Sequence, residues 1–184
     1  MTEQQVVRCV QQWVATVVVD LNLCPFAKRE LLKDRVRFAV CDATTEEALI
    51  SALQNELELL ENDSAVETTL LIHPQVLLEF FSYNQFLDYA DQLLVAMKLD
   101  GIYQIASFHP DYQFQGAGAD DAQNYSNRSP FPMLHLLRED SLEKVIADYA
   151  DVEEIPARNI ALMNDMGRER LNSLLQACLN REKL

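Results

Sequence analysis

The sequence predicts an α/β fold, a small mostly parallel sheet of three or four strands flanked by helices, with extra helices at both ends. Three observations predict it. Short apolar runs beginning at Val36, Thr68 and Ile102 recur at spacings of about 30 residues, which suits βαβ crossovers. Helix-period segments fill the intervals between them. Only 4 glycines in 184 residues leave few positive-φ positions for the tight turns of a sandwich or barrel. An antiparallel strand hidden elsewhere would turn the same elements into a ferredoxin-like α+β arrangement, the alternative.

The first element is an amphipathic helix, because Val6, Val10, Trp13, Val14 and Val17 recur at three- and four-residue spacing. The β-branched run Val17-Val18-Val19 leaves its end ambiguous. Cys24-Pro25 restarts the chain, and Phe26 to Lys33 reads as a short helix. Val36 to Val40 is the first strand. Thr44 or Thr45 caps a helix running through Leu49, Leu53, Leu57 and Leu60. Thr68 to Ile72 is the second strand and stops at His73-Pro74. A long helix is expected over Val76 to Met97, closed by Lys98-Leu99-Asp100-Gly101. Ile102 to Phe108 is the third strand and stops at His109-Pro110.

Residues 110 to 132 lack periodicity and carry three prolines, two glycines and several aromatic side chains, so they read as an ordered functional loop. Ser141 caps a helix through Tyr149, and Pro156 opens a last helix to about Cys178. No repeat or low-complexity stretch appears, and residues 1–184 read as one domain.

The net charge of −14, from 15 basic and 29 acidic side chains, repels phosphate backbones and anionic bilayers. A local basic run (Lys28, Arg29, Lys33, Arg35, Arg37) is interrupted by Glu30 and Asp34 and lacks aromatic platforms. Neither nucleic acid nor a membrane is expected as partner; a small molecule is. The start of the chain has no secretion signal, and Cys9, Cys24, Cys41 and Cys178 form no CxxC pair, which points to reduced thiols and the cytoplasm.

Proline disfavours the α conformation of the residue before it, so His73 and His109 are each held extended at a strand end. In an open parallel sheet those carboxyl ends form the crevice that takes ligands. His135 follows the long loop and is expected to fold back toward them. Three imidazoles on one rim would suit a divalent metal, zinc or iron, with an open position. The plainer reading has each histidine capping loop carbonyls.

Cys24, before a proline at a helix start, reads as an N-cap thiol favoured as thiolate, with Lys28 and Arg29 one turn on. A small buried apolar residue is the plainer alternative. Arg128 is placed to grip an anion bidentately or to staple its own loop to Asp120 or Asp121. Asn22, Tyr112, Gln113, Asn124 and Asn127 complete the candidate substrate contacts.

Four words in the chain are distinctive: Asn22-Leu23-Cys24-Pro25-Phe26-Ala27, Leu71-Ile72-His73-Pro74, Ser107-Phe108-His109-Pro110-Asp111-Tyr112-Gln113-Phe114 and Asn127-Arg128-Ser129-Pro130-Phe131-Pro132. Together they resemble the bacterial family catalogued as domain of unknown function number 1415, over nearly the whole chain. The resemblance implies no activity. It does make the candidate sites coincide with the family's signature words.

The leading expectation is an enzyme acting on a small anionic or polar metabolite at the rim formed by the strand ends and the 109–135 loop. Cys24 or a metal-bound water would attack, His109 or His135 would act as base, and Arg128 and Lys28 would hold the anion. The alternatives are a binding module without turnover that uses the same loop, and a thiol redox protein working through Cys24.

Overall fold

A computed structural model of the chain describes residues 1–148 and 152–180. Eleven regular elements are described: helix α1 (Glu3–Trp13), α2 (Ala27–Leu32), strand β1 (Val36–Val40), α3 (Glu46–Asn62), β2 (Thr68–Ile72), α4 (Phe80–Met97), β3 (Tyr103–Phe108), β4 (Met133–Arg138), α5 (Glu139–Asp148), α6 (Ile155–Met166) and α7 (Arg168–Asn180). They form the expected α/β architecture, with one four-stranded mixed sheet in the order β1-β2-β4-β3.

The strands β1 and β2 pair in parallel, with Val40 opposite Ile72. The hidden antiparallel strand is β4, which pairs with β2 on one side and β3 on the other. Thus β1, β2 and β3 all run the same way, and β4 runs back between the last two. Its sequence, Met-Leu-His-Leu-Leu-Arg, alternates poorly, and a proline-rich approach masks it. Every residue of β2 is buried, as its unbroken apolar run requires.

Side chains alternate across a strand, so the sheet has two buried faces. Ala39, Leu71, Leu134 and Leu136 face Leu49, Leu53, Leu57 and Leu60 of α3 and Tyr83, Phe86, Ala90 and Leu94 of α4. On the other face Leu70, Ile72 and Met133 meet Val6, Val10 and Trp13 of α1 and Leu171, Leu175 and Cys178 of α7. Fully burying each of these large side chains stabilises the fold by roughly 1.5–3 kcal/mol, before the entropy of ordering it.

Several boundaries differ from expectation. The ambiguous end of α1 continues as a π-helix over Val14–Val19, where the β-branched run crowds the tighter turn. The long helix begins at Phe80, and residues 74–79 form an irregular segment with Leu77 at φ 56°. Lys98, at φ 61°, is the left-handed cap of α4, while Gly101 serves the next turn. The last helix is two helices, broken at Gly167 with φ 74°. The expected cap at Thr45 is present, its side chain accepting from Ala48 N–H. The helix expected from Ser141 starts two residues earlier, and its expected end, Tyr149, lies outside the described residues.

Candidate functional site

The carboxyl ends of the three co-directional strands bring His73 and His109 to one edge and one face of the sheet. His73 follows β2 directly and His109 follows β3 directly; both are 0 % exposed. The His73 N–H extends the ladder to the Pro132 carbonyl at 3.1 Å, and the His109 N–H donates to Asn127 O at 3.3 Å. Both imidazoles lie against the Tyr83 ring of α4, with centroids at 5.8 Å for His73 and 5.1 Å for His109. The Tyr83 hydroxyl donates to Met133 O at 2.7 Å and accepts from Phe108 N–H at 3.0 Å, so the ring is fixed between β3 and β4. Burial pushes its phenol far above the ordinary range.

The two imidazoles hold neighbouring carbonyls of segment 74–79. His73 Nδ1 donates to Val76 O at 3.0 Å, and His109 Nε2 donates to Leu77 O at 3.2 Å. His109 Nδ1 accepts from Asp111 N–H at 3.0 Å, which makes His109 a neutral Nε2–H tautomer. His73 is then the opposite tautomer. Its Nε2 is a buried lone pair with no hydrogen-bond partner among the described residues. Burial, aided by the charge that His109 can carry, lowers the His73 pKa from 6.5 to about 4. Burial also lowers that of His109, opposed by its contacts to the backbone and by Asp111 and Glu79.

Cys41 completes the row. It follows β1 as His73 follows β2, and its N–H donates to Ile72 O at 2.8 Å. Its sulfur accepts from Ala43 N–H at 3.4 Å, and burial pushes the thiol up, so it is held protonated. Outside the row lies an open groove of about 350 Å³, lined among others by Thr44, Thr45, Glu46, Leu77, Glu79 and Ser82.

The long loop is built around its own polar side chains. Buried Asn124 accepts from Phe114 N–H at 3.1 Å and donates to Gly118 O at 2.8 Å. Arg128 donates to Tyr112 O at 3.2 Å and Ala119 O at 2.7 Å, with its guanidinium 4.7 Å from the Tyr125 ring centre. It staples the loop through carbonyls rather than through Asp120, which pairs with Arg168 at 2.9 Å, or Asp121, which accepts from Gly118 N–H at 2.7 Å. Gln113 donates to Ala117 O at 2.6 Å and Asn127 to Ser107 O at 3.1 Å. The Tyr112 ring packs between Phe80 and Phe114.

The remaining candidates lie elsewhere. His135 does not fold back to the rim: it sits inside β4 and points to the face opposite Leu134 and Leu136. Its Nε2 donates at 2.8 Å to Thr68 Oγ1, which itself donates to Leu136 O at 2.6 Å. Burial lowers its pKa to about 4. The three imidazoles are thus divided by the sheet, and among the described residues no three His, Cys, Asp or Glu side chains are placed to hold a metal ion.

Cys24 is not an N-cap either. Helix α2 begins at Ala27 with Phe26 as its cap, which leaves the half-buried Cys24 two residues ahead. Its segment is tied to α6: Arg158 donates to Asn22 O at 2.7 Å and Asn159 to Leu23 O at 2.9 Å. Leu23 belongs to the α1/α7 side of the sheet, away from His73 and His109. Asn22 and Lys28 are exposed on that same segment. In the basic run, Arg29 and Arg35 pair with Glu30, Arg35 also with Glu67, and Arg37 with Glu56 at 2.7 Å.

Residues 5–173 match the family described as Protein of unknown function (DUF1415). The chain belongs to that family. No curated protein and no solved structure matches it. The DUF1415 match spans all four distinctive words and therefore both His-Pro turns. No described helix of this DUF1415 chain is long and apolar enough to cross a membrane.

Sequence reasoning missed Cys41 and Tyr83 as members of the row. The signal for Cys41 was its place directly after an apolar strand, equivalent to that of His73. Tyr83 was readable as a buried tyrosine in a helix core, whose hydroxyl must find partners.

Proposed function

We propose that this protein binds a small polar molecule at the strand-end rim beneath segment 74–79, with His73 Nε2 as the anchoring acceptor. One observation carries the reading: a buried imidazole lone pair without a partner among the described residues. Buried polar groups are nearly always paired, and an orphan costs roughly 1–3 kcal/mol unless something pairs with it. A hydroxyl, amide or amine donor on a ligand would remove that cost.

The charge around the rim narrows the ligand class. Glu46 and Glu79 line the adjoining groove, Asp111 follows His109, and Arg128 is committed to loop carbonyls. These support a neutral or cationic hydrogen-bond donor over the anionic metabolite expected earlier. Catalysis is the second reading, since the same lone pair can take a proton. An imidazole with a pKa of about 4 is a strong enough acceptor for binding but a weak base at neutral pH. Binding is therefore the reading we put first.

The test titrates ¹⁵N-labelled protein with three probes: glycerol, ethanolamine and succinate. Glycerol or ethanolamine should shift the His73 Nε2 resonance and the neighbouring Leu77 and Leu78 amides. The amide shifts should vanish in His73→Asn, which keeps a donor for Val76 O and has no acceptor at the Nε2 position. A response to succinate alone, or no response at His73 to any probe, contradicts the reading.

A further inference from the structure

Two segments of the rim meet at one side chain. His109 Nε2 donates to Leu77 O at 3.2 Å, within segment 74–79, and His109 Nδ1 accepts from Asp111 N–H at 3.0 Å in the start of the long loop. Leu77 is held at φ 56°, in the left-handed region that a bulky side chain disfavours. The buried side chains of Val76 and Leu77 close over the α3/α4 core. Segment 74–79 is a cover held in a disfavoured conformation, and one neutral imidazole ties it to the opposite loop.

We infer that His109 is an acid-released latch for this cover. A proton from solvent adds to the Nδ1 lone pair and turns the acceptor into a donor facing the Asp111 N–H. Two N–H groups then oppose each other, the turn after His109 opens, and the ring loses the placement that aims Nε2 at Leu77 O. His73 cannot act in the same way. Its titrating nitrogen is Nε2, so its Nδ1–H keeps the Val76 bond in either protonation state.

The groups facing His109 set where the latch works. Asp111 in the same turn and Glu79 at the head of α4 favour the proton, while the imidazole of His73 after β2 is itself held neutral by burial and the phenol of Tyr83 from α4 stays neutral. Burial is the largest influence and holds the ring neutral, so release falls on the acid side of the ordinary value of 6.5.

The latch does not rest on the ligand reading, because it is measured on the full chain without added ligand. Amide hydrogen exchange, corrected for the intrinsic effect of pH, is followed from pH 7.5 to 5. Protection at Asp111 should fall at least tenfold further than at amides of the β2–β4 ladder such as Leu134, which follow only the global loss of stability in acid. In His109→Asn the side-chain oxygen accepts from Asp111 and does not titrate, so the excess fall at Asp111 should disappear. A fall at Asp111 no larger than at Leu134 in the wild type, or an equal excess in His109→Asn, overturns the latch. Should that variant not fold, the wild-type Nδ1 nitrogen resonance decides: protonation of Nδ1 without loss of Asp111 protection, or loss without protonation, overturns it equally.

Discussion

The two His-Pro turns look alike in sequence and end in opposite chemistry. Each histidine follows an apolar strand, each is extended by the proline behind it, and each leans on Tyr83. After His109 the chain turns back at once, and the Asp111 N–H arrives at Nδ1. After His73 the chain runs on to Val76, and it is a carbonyl that arrives at Nδ1. A backbone donor in one turn and a backbone acceptor in the other select opposite tautomers. One imidazole is then fully paired, and the other keeps a bare lone pair. The strand-end motif fixes where an imidazole sits; the next two or three residues decide what it can do.

The largest test of this pairing removes the ring that both imidazoles share. Tyr83→Ala should destabilise the fold by roughly 3–5 kcal/mol, the range for a large aromatic truncated in a core, measured by urea unfolding. Exchange should rise in both turns together, and a response confined to one would break the comparison.

Acid comes next. The folded pKa of His73, about 4, lies below the unfolded value of 6.5, so neither state carries the proton above about pH 6.5 and no penalty applies there. As pH falls from 6.5 toward 4 the unfolded chain takes up the proton first, and stability drops by on the order of 3 kcal/mol. His135, also lowered to about 4, and His109, lowered in the same direction, add losses below pH 6.5. Denaturation midpoints at pH 7 and pH 4.5 measure the sum, and His73→Asn should remove its share.

Tyr83→Phe is milder. It strips one hydroxyl from Phe108 N–H and Met133 O and should reduce stability by about 1–3 kcal/mol. Asp111→Asn should change least, within about 0.5 kcal/mol, because the backbone N–H of Asp111, not its carboxylate, pairs with His109. A larger loss there would mean that the carboxylate fixes the His109 tautomer.

Much of this layout was legible beforehand. The leucines at 49, 53, 57 and 60 announced their helix by spacing, and proline placed His73 and His109 at strand ends. What escaped was set by partners distant in sequence. His135 was expected at the rim because it follows the long loop, yet a period-two strand threaded between β2 and β3 turns it to the other face. Arg128 was weighed against acidic neighbours, but the folded loop offered carbonyls that needed donors. Cys24 lost its helix-cap role when α2 began three residues later, at Ala27. The break at Gly167 was available in the sequence, since a glycine inside a helical pattern invites a left-handed turn.

Among the described residues, His73 carries a buried, unpaired Nε2 while His109 carries a paired Nδ1. Long-range ¹H–¹⁵N correlation of the imidazole rings at pH 7 tests it most directly. The expected pattern is a protonated Nδ1 and an unprotonated Nε2 in His73, with the reverse in His109. A protonated Nε2 in His73, or the same tautomer in both rings, would overturn this assignment.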